Sequence, residues 1–385
     1  MNVASTTTLP RTQRAWTYTS RGLPREILSL NSAYAVPPPP SGTNVLVRVT
    51  HVGLNPGCYM TLQSIPPLIR RIVSGGKKTE YVPEGEFSGV VVLVGPGVAR
   101  ASSISEFRPN ARVFGSLPVP SLLGGDGTLT EYISVPASQI ALVPPTMRME
   151  EAAGLSGAGL TAWAMLNEVP GLNPLQDITP KTRILINGGS GGVGTMLIQL
   201  AKDMGAYVVA TCSERSKTLV ESLGADEVID YRRNDPLPSY LASNYSSSPS
   251  SQSHSQSQLQ FDLILDTIGS QPLFLSSPSY LSPDGLYINV GNFDHGVFGT
   301  VSNALWNTYV GWYLPRFLGG VPRRYIMIST TPNGEKASLL ARMIEEGRLK
   351  VVVDEVVEFE RVLEAYDRMI AKNALGKIII KVQDE

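Results

Sequence analysis

The stretch RILINGGSGGVGTMLIQLAKDMG, residues 183–205, decides how this chain folds. An apolar strand, Arg183–Gly188, runs into a cluster of glycines, and an amphipathic helix begins near Val193 and stops at Gly205. Gly189-Ser190-Gly191-Gly192-Val193-Gly194 fits G-x-G-x-x-G. In that setting glycines permit a tight turn and let the backbone approach a pyrophosphate. The helix start adds unpaired N–H groups and a positive dipole end. The strand before and the helix after give the motif its specificity for a dinucleotide.

The surroundings extend this unit. YVVATC (Tyr207–Cys212), EVIDY (Glu227–Tyr231), FDLILDTIG (Phe261–Gly269) and GLYINVG (Gly285–Gly291) read as further strands, and SKTLVESLG (Ser216–Gly224) as a helix. Strand–helix alternation of this kind means a parallel, doubly wound sheet. Upstream, VLVRVTHVGL (Val45–Leu54), GVVVLVGPGV (Gly89–Val98), ARVFGSL (Ala111–Leu117) and LTEYISVP (Leu129–Pro136) are short strands between Gly and Pro turns, a compact β-rich barrel. Met149–Val169 reads as a helical join. The tail returns to helices at Glu335–Gly347 and Phe359–Asn373 and to the strands VVVDEVV and KIIIKV. The Ser/Gln-rich segment Ser243–Gln258 has no apolar period and reads as a flexible surface insert, with regulatory phosphorylation as a sharper alternative.

Composition excludes several classes. The chain has 385 residues, a formal net charge of −1, and 42% hydrophobic and 17% charged residues. That length suggests two domains, and no basic run supports a nucleic-acid partner. Two cysteines, Cys58 and Cys212, are no disulfide scaffold and fit a reducing compartment. The opening residues carry Arg and Thr without an acid, as an organelle presequence would. Little chain precedes the first strand at Arg14–Thr19, so a frayed terminus and a cytoplasmic location are expected, with a mitochondrial one left open. Val297–Leu318 comes closest to a membrane span, but Asn303, Asn307, Pro315 and Arg316 interrupt it, and a buried or interfacial helix beside a pocket is expected instead.

The dinucleotide can be narrowed. NAD-binding versions of this motif carry an acid about 20 residues on, at the ribose hydroxyls. Here Ser213 takes the place expected for the acid, and Arg215 and Lys217 follow. A hydroxyl and two cations suit a 2′-phosphate, so NADP(H) is the expected cofactor. Glu214 would serve NAD if the strand ended one residue later. The same glycines also spell G-x-S-x-G, Gly188 to Gly192, the nucleophile elbow of hydrolases. That reading needs a later His, and only His254, inside the Ser-rich insert, and His295 follow.

In order along the chain, VLVRVTHVGLNP, EGEFSGVVVLVGPGV, ARVFG, GTLTEYISVP, AAGLSGAGLTAWAML, NGGSGGVG, SLGADEVIDY, FDLILDTIG and ALGKIIIKV resemble the medium-chain dehydrogenase/reductase superfamily, and within it the zinc-independent quinone oxidoreductase branch. The resemblance implies an α/β fold, with a GroES-like β-rich catalytic domain over 1–151, completed by 328–385, and a doubly wound Rossmann domain over 152–327. It implies a pyrophosphate at Ser190, Gly191, Gly192, Val193 and Gly194, a 2′-phosphate at Ser213 and Arg215, the adenosine beside Tyr231, and the nicotinamide half near Thr267–Gly269. Lys377 matches the family's C-terminal Gly-Lys.

Departures are equally informative. Zinc-dependent relatives place a ligand Cys near Asn55 and a ligand His near Gly85, and a structural lobe of four closely spaced cysteines; this chain lacks that ligand set, and no metal is expected. The N-P-x-D of similar proteins reads Asn55-Pro56-Gly57-Cys58 here. Asn55 and Tyr59 are candidates to hold a substrate oxygen, against a role in local turn packing. His51 reads as structural, His295 as a residue that could line the pocket, and no proton donor is assigned. The function implied is transfer of a hydride from NADPH to a quinone, enone, enoyl or carbonyl small molecule. A nucleotide-binding protein with little turnover is the alternative, and a homodimer is left open.

Overall fold

The computed structural model describes residues 9–76, 78–98, 106–171, 178–246, 260–291 and 296–385. Most of the insert 243–258 therefore lies outside the described residues, as do His254, His295 and the first eight residues.

Fifteen strands are described. The first seven are β1 (Thr12–Thr17), β2 (Ser29–Ala35), β3 (Asn44–Gly53), β4 (Glu86–Val94), β5 (Arg112–Ser116), β6 (Tyr132–Pro136) and β7 (Ile140–Leu142). The glycine-rich half supplies β8 (Arg183–Asn187), β9 (Tyr207–Cys212), β10 (Glu227–Asp230), β11 (Phe261–Asp266), β12 (Leu281–Asn289) and β13 (Arg324–Met327). The tail adds β14 (Val353–Glu358) and β15 (Lys377–Lys381).

These form two main sheets and a separate β1–β2 hairpin. The parallel sheet runs β10-β9-β8-β11-β12-β13. The other runs β14-β15-β3-β4-β5-β7, with β6 also paired to β3, so the chain's last strands complete its first sheet. This is the α/β arrangement of a GroES-like and a Rossmann unit expected from the sequence. β3 explains the dependence on the tail: His51, Val52 and Gly53 pair with Lys381, Ile380 and Ile379 across more than three hundred residues.

In the parallel sheet the winding reverses between β8 and β11, which opens the crevice where ligands of such folds bind. The glycine turn lies at the end of β8. Gly188 has φ +87°, and a Cβ on Gly194 would lie 2.1 Å from the Gly188 carbonyl oxygen, so the third motif glycine is fixed by helix–strand contact. The helix that follows spans Gly192–Asp203 and buries Met196, Leu197, Leu200 and Ala201.

Several boundaries shift from the sequence reading by a few residues, and two do so for clear local reasons. The strand expected over Phe261–Gly269 ends at Asp266, because the next backbone turns to donate to the Asp266 carboxylate. The helix expected from Ser216 opens with a single tight turn, Glu214–Ser216, before Lys217–Ser222.

The close approach at Gly194 yields a first test. Gly194→Ala should lower stability in urea by at least about 2 kcal/mol, because backbone must move to admit one methyl. A change below about 0.5 kcal/mol would show that the turn is not packed as described.

Candidate cofactor and substrate site

The loop after β8 is held by β9 and by the C-terminal tail. Gly188 N–H donates to Thr211 Oγ1 at 3.0 Å and Gly189 N–H to the Thr211 carbonyl at 2.8 Å. From the C-terminal tail, Gly376 N–H donates to the Ser190 carbonyl at 2.8 Å, and Gly191 and Gly376 form a parallel bridge. A Cβ on Gly191 would have only the Gly188 oxygen near it, at 3.6 Å, so the space over the turn is open. Gly192, Val193 and Gly194 begin the helix, where N–H groups have no intrahelical acceptor. An open cradle with first-turn donors fits a pyrophosphate.

At the ends of β9 and β10, Ser213 is buried and its Oγ lies 3.2 Å from Ser216 Oγ. Arg215 and Lys217 are exposed beside it, and Tyr231 N–H donates to the Cys212 carbonyl at 3.2 Å. Tyr231, Ser213, Arg215 and Lys217 therefore share one corner. Two arginines join them that the sequence reading did not single out. Arg232 lies over the Tyr231 ring at 5.7 Å, and Arg233 pairs with Glu214 at 3.3 Å. The signal was present in Tyr231-Arg232-Arg233, but only the fold brings it to the end of β9.

The other half of the crevice is organised by Asp266, which is fully buried. Its carboxylate accepts from the backbone N–H groups of Ile268, Gly269 and Ser270, from Asn187 Nδ2 at 2.8 Å and from the Tyr287 hydroxyl at 2.6 Å. Thr267 Oγ1 donates to the Asn187 carbonyl at 2.8 Å. Thr267 and Gly269 are thus fixed beside the glycine loop. Behind them a cavity of about 10 Å³ is lined by Gln271, Asn289, Thr300, Asn303 and Asn307 among others.

Within the first sheet, β4 and β15 meet the Asn55 turn in a polar knot. Lys377 Nζ donates to Glu86 Oε2 at 2.8 Å, Asn55 Oδ1 at 2.7 Å and the Leu54 carbonyl at 2.9 Å. The pair is buried, with side chains 4% and 1% exposed. Glu86 also accepts from Gly157 N–H at 2.6 Å and Asn55 Nδ2 at 3.1 Å. Asn55 Nδ2 reaches the Gly53 carbonyl as well, so both ends of the amide are engaged inside the protein. Tyr59 sits half-buried in the Pro56–Ser64 helix, against the first core. Neither glutamate was singled out from sequence, although Glu84-Gly85-Glu86 is an acidic pair beside a strand.

Glu84 lies next to this knot. It has φ +66°, accepts from the Tyr366 hydroxyl at 2.7 Å and from Asn55 N–H at 3.1 Å, and meets the Cys58 thiol. Burial raises its pKa to about 7 against these donors, and burial likewise pushes the Cys58 thiol well up. His51 lies apart, in β3 opposite Ser88, with its pKa lowered to about 4 by burial. Among the described residues no group of three or more His, Cys, Asp or Glu is placed to hold a metal ion. No helix among them is long and apolar enough to cross a membrane.

The family described as zinc-binding dehydrogenase matches residues 223–380. The trans-enoyl reductase poxH of Penicillium oxalicum is 33% identical, over 99% of this chain and 100% of that protein. The medium chain reductase pydE of an Acremonium species is 32% identical, over 96% of this chain and 99% of that protein. The quinone oxidoreductase structure from Coxiella burnetii has the same fold, with a TM-score of 0.72 at 22% identity over 96% of this chain and 99% of that one. The chain belongs to the medium-chain dehydrogenase/reductase superfamily, and it is an oxidoreductase of that fold. The hydrolase reading of Gly188–Gly192 gives way to this membership, and His51 is the one histidine among the described residues.

Two outcomes follow from the knot. Lys377→Met should destabilise the protein by about 3–5 kcal/mol in urea, since it leaves Glu86 as an unpaired buried charge. Lys377→Met with Glu86→Gln should recover most of that loss; no recovery would mean that the charge pair is not the source.

Glu84 gives a pH signature. Its folded pKa of about 7 stands above the ordinary carboxylate value, so the folded state holds that proton more tightly than the unfolded state. The contribution is complete below the unfolded pKa, near 4.5, and is lost as pH rises through 7, to a total of about 3 kcal/mol. His51 acts oppositely, costing stability as pH falls below its unfolded value. Glu84→Gln should therefore remove the downward component and leave stability rising more steeply with pH between 4.5 and 7. Parallel wild-type and variant curves would contradict a proton on Glu84.

Proposed function

We propose that this chain is an NADPH-dependent, zinc-independent reductase of activated alkenes, with an enoyl group as the preferred acceptor. The observation that carries the cofactor choice is the corner at the ends of β9 and β10. Ser213 stands there with Arg215, Lys217 and Arg232 exposed, while Glu214, the one acid able to take an NAD ribose, is drawn to Arg233. The enoyl acceptor is supported by the relatives named as trans-enoyl reductases. Independence from zinc is supported by the residues near Asn55 and Gly85: a lysine ammonium and two carboxylates cluster where zinc-dependent relatives place Cys and His.

When bound, NADPH supplies the hydride. The chain's part is to bind and orient. The first-turn N–H groups of Gly192, Val193 and Gly194 take the pyrophosphate, and the Asp266-braced turn with Thr267 and Gly269 sets the nicotinamide end. Lys377 keeps Asn55 and Glu86 in place. A second reading, nucleotide binding with little turnover, draws on the Asn55 amide, which is spent on internal partners. A panel of enoyl thioesters, enones and quinones with NADPH separates the two.

The cofactor choice has a direct test. A guanidinium gives a phosphate a charge-assisted contact, and loss of one such contact is worth about tenfold to hundredfold in affinity. Arg215→Ala should weaken NADPH binding by that factor and leave NADH binding nearly unchanged in calorimetric titrations at matched salt. Equal weakening of both cofactors, or a wild type that prefers NADH, would reassign the corner to NAD with Glu214 on the ribose.

A further inference from the structure

The Gly296–Trp312 helix is built inside out. Its inward face is Thr300, Ala304, Asn307 and Val310. Thr300, Asn303 and Asn307 border the small polar cavity behind the Asp266 turn. Its outward face is Phe298, Val301, Leu305, Trp306, Tyr309 and Trp312, all exposed, with Phe298 at 64% and Leu305 at 68%. These positions repeat at the helical period, so they form one stripe. Just beyond the helix, Tyr313 and Leu318 are exposed and Phe317 protrudes at 86%. An ordinary surface helix has the opposite polarity, and an apolar face of this size marks a contact with something apolar.

A second exposed apolar element is tethered near the start of this helix. Ser64 Oγ accepts from Val297 N–H at 3.1 Å, and three residues past Ser64 the Pro67–Val73 helix exposes Leu68, Ile69, Ile72 and Val73. Charge is distributed just as unevenly. Residues 64–79 and 296–334 together hold seven Lys and Arg and no Asp or Glu, in a chain of net charge −1. Arg71 and Arg316 are exposed, and neither has a carboxylate partner among the described residues.

We propose that the outer face of the Gly296–Trp312 helix, with the Phe317 tip and the Pro67–Val73 helix, seats this protein on an anionic lipid surface. The face carries the elements of an interfacial anchor: an uncharged helix with Trp and Tyr outward, an aromatic tip, and arginines at the margin to meet lipid phosphates. A second copy fits less well. Of the seven cations, Arg70 and Arg323 are buried and Lys78 pairs with Asp126. A two-fold contact brings the same patch onto itself, which sets the exposed Arg71 and Arg316 against their own copies with no acid in either segment to pair them. The inner face of the same helix borders the Asp266 turn, so seating turns the nicotinamide side of the crevice toward the lipid.

The test is flotation of the full chain with vesicles of phosphatidylcholine and phosphatidylglycerol, against phosphatidylcholine alone. Binding should favour the anionic vesicles, weaken as salt is raised, and be accompanied by quenching of tryptophan fluorescence by brominated lipid. Leu305→Glu with Trp306→Glu should cut the bound fraction about tenfold or more, which corresponds to about 1.4 kcal/mol. Phe317→Glu should act in the same direction. These side chains are exposed, so the thermal midpoint and NADPH affinity of the variants should match wild type, and either result stands whether or not the enoyl assignment holds. No binding to anionic vesicles at low salt, or variants that float like wild type, would overturn the proposal. So would a wild-type dimer in solution that these variants convert to monomer without any vesicle binding, which would assign the face to a second copy.

Discussion

The ammonium of Lys377 is the constraint on which the rest of the arrangement depends. It is buried at the start of β15, a tail strand that pairs with β3 from hundreds of residues earlier in the same sheet, and its three hydrogens are matched by three acceptors, the Leu54 carbonyl, Asn55 and Glu86. The residue before it, Gly376, is bonded to the glycine loop through Ser190 and Gly191. One dipeptide therefore ties the glycine loop to Asn55 and Glu86. Burying such a pair is costly, and replacing it with apolar residues would often be neutral for stability. What the ion pair adds is a unique position: a charge with three short contacts tolerates little sliding, whereas two greasy surfaces would tolerate more.

On the far side of the crevice Asp266 has the complementary task. Strand β11 ends there because three consecutive backbone N–H groups converge on its carboxylate. Asn187, the last residue of β8, donates to the same group. The ends of the two strands at the reversal of the sheet are thereby locked to one another. A nicotinamide cofactor lying across that reversal would meet fixed groups at both ends, the cationic corner at β9 and the braced turn at β11. That division matches the reading of the chain as one that binds and orients a cofactor carrying the chemistry.

Local physics made part of this legible in the sequence. The glycine turn needs a strand before it and a helix after it, and both are written within 23 residues, 183–205. Ser213, Arg215 and Lys217 could be placed because they follow the second strand of the same unit. The interrupted apolar stretch at Val297–Leu318 was readable as interfacial or buried from its Asn and Pro residues, but not the direction in which its polar face would turn. The knot was not legible. Glu84, Glu86 and Asn55 meet Tyr366 and Lys377 only after the tail has crossed back to β3, and no spacing records that return. Asp266 looked like an ordinary strand residue because its partners are backbone N–H groups, which every sequence has. For Asn55 the sequence leaves a substrate oxygen and local turn packing both open; the fold supplies internal partners for both ends of its amide.

The activity proposed for the chain is transfer of a hydride from NADPH to an activated alkene. The most direct measurement is turnover of an enoyl thioester with NADPH deuterated at the transferable position of the nicotinamide, followed by mass spectrometry of the product. The account predicts a saturated product carrying one deuterium at the β-carbon, formed without added metal and unaffected by chelator. Saturable NADPH binding with no deuterated product from any enoyl, enone or quinone acceptor would contradict it.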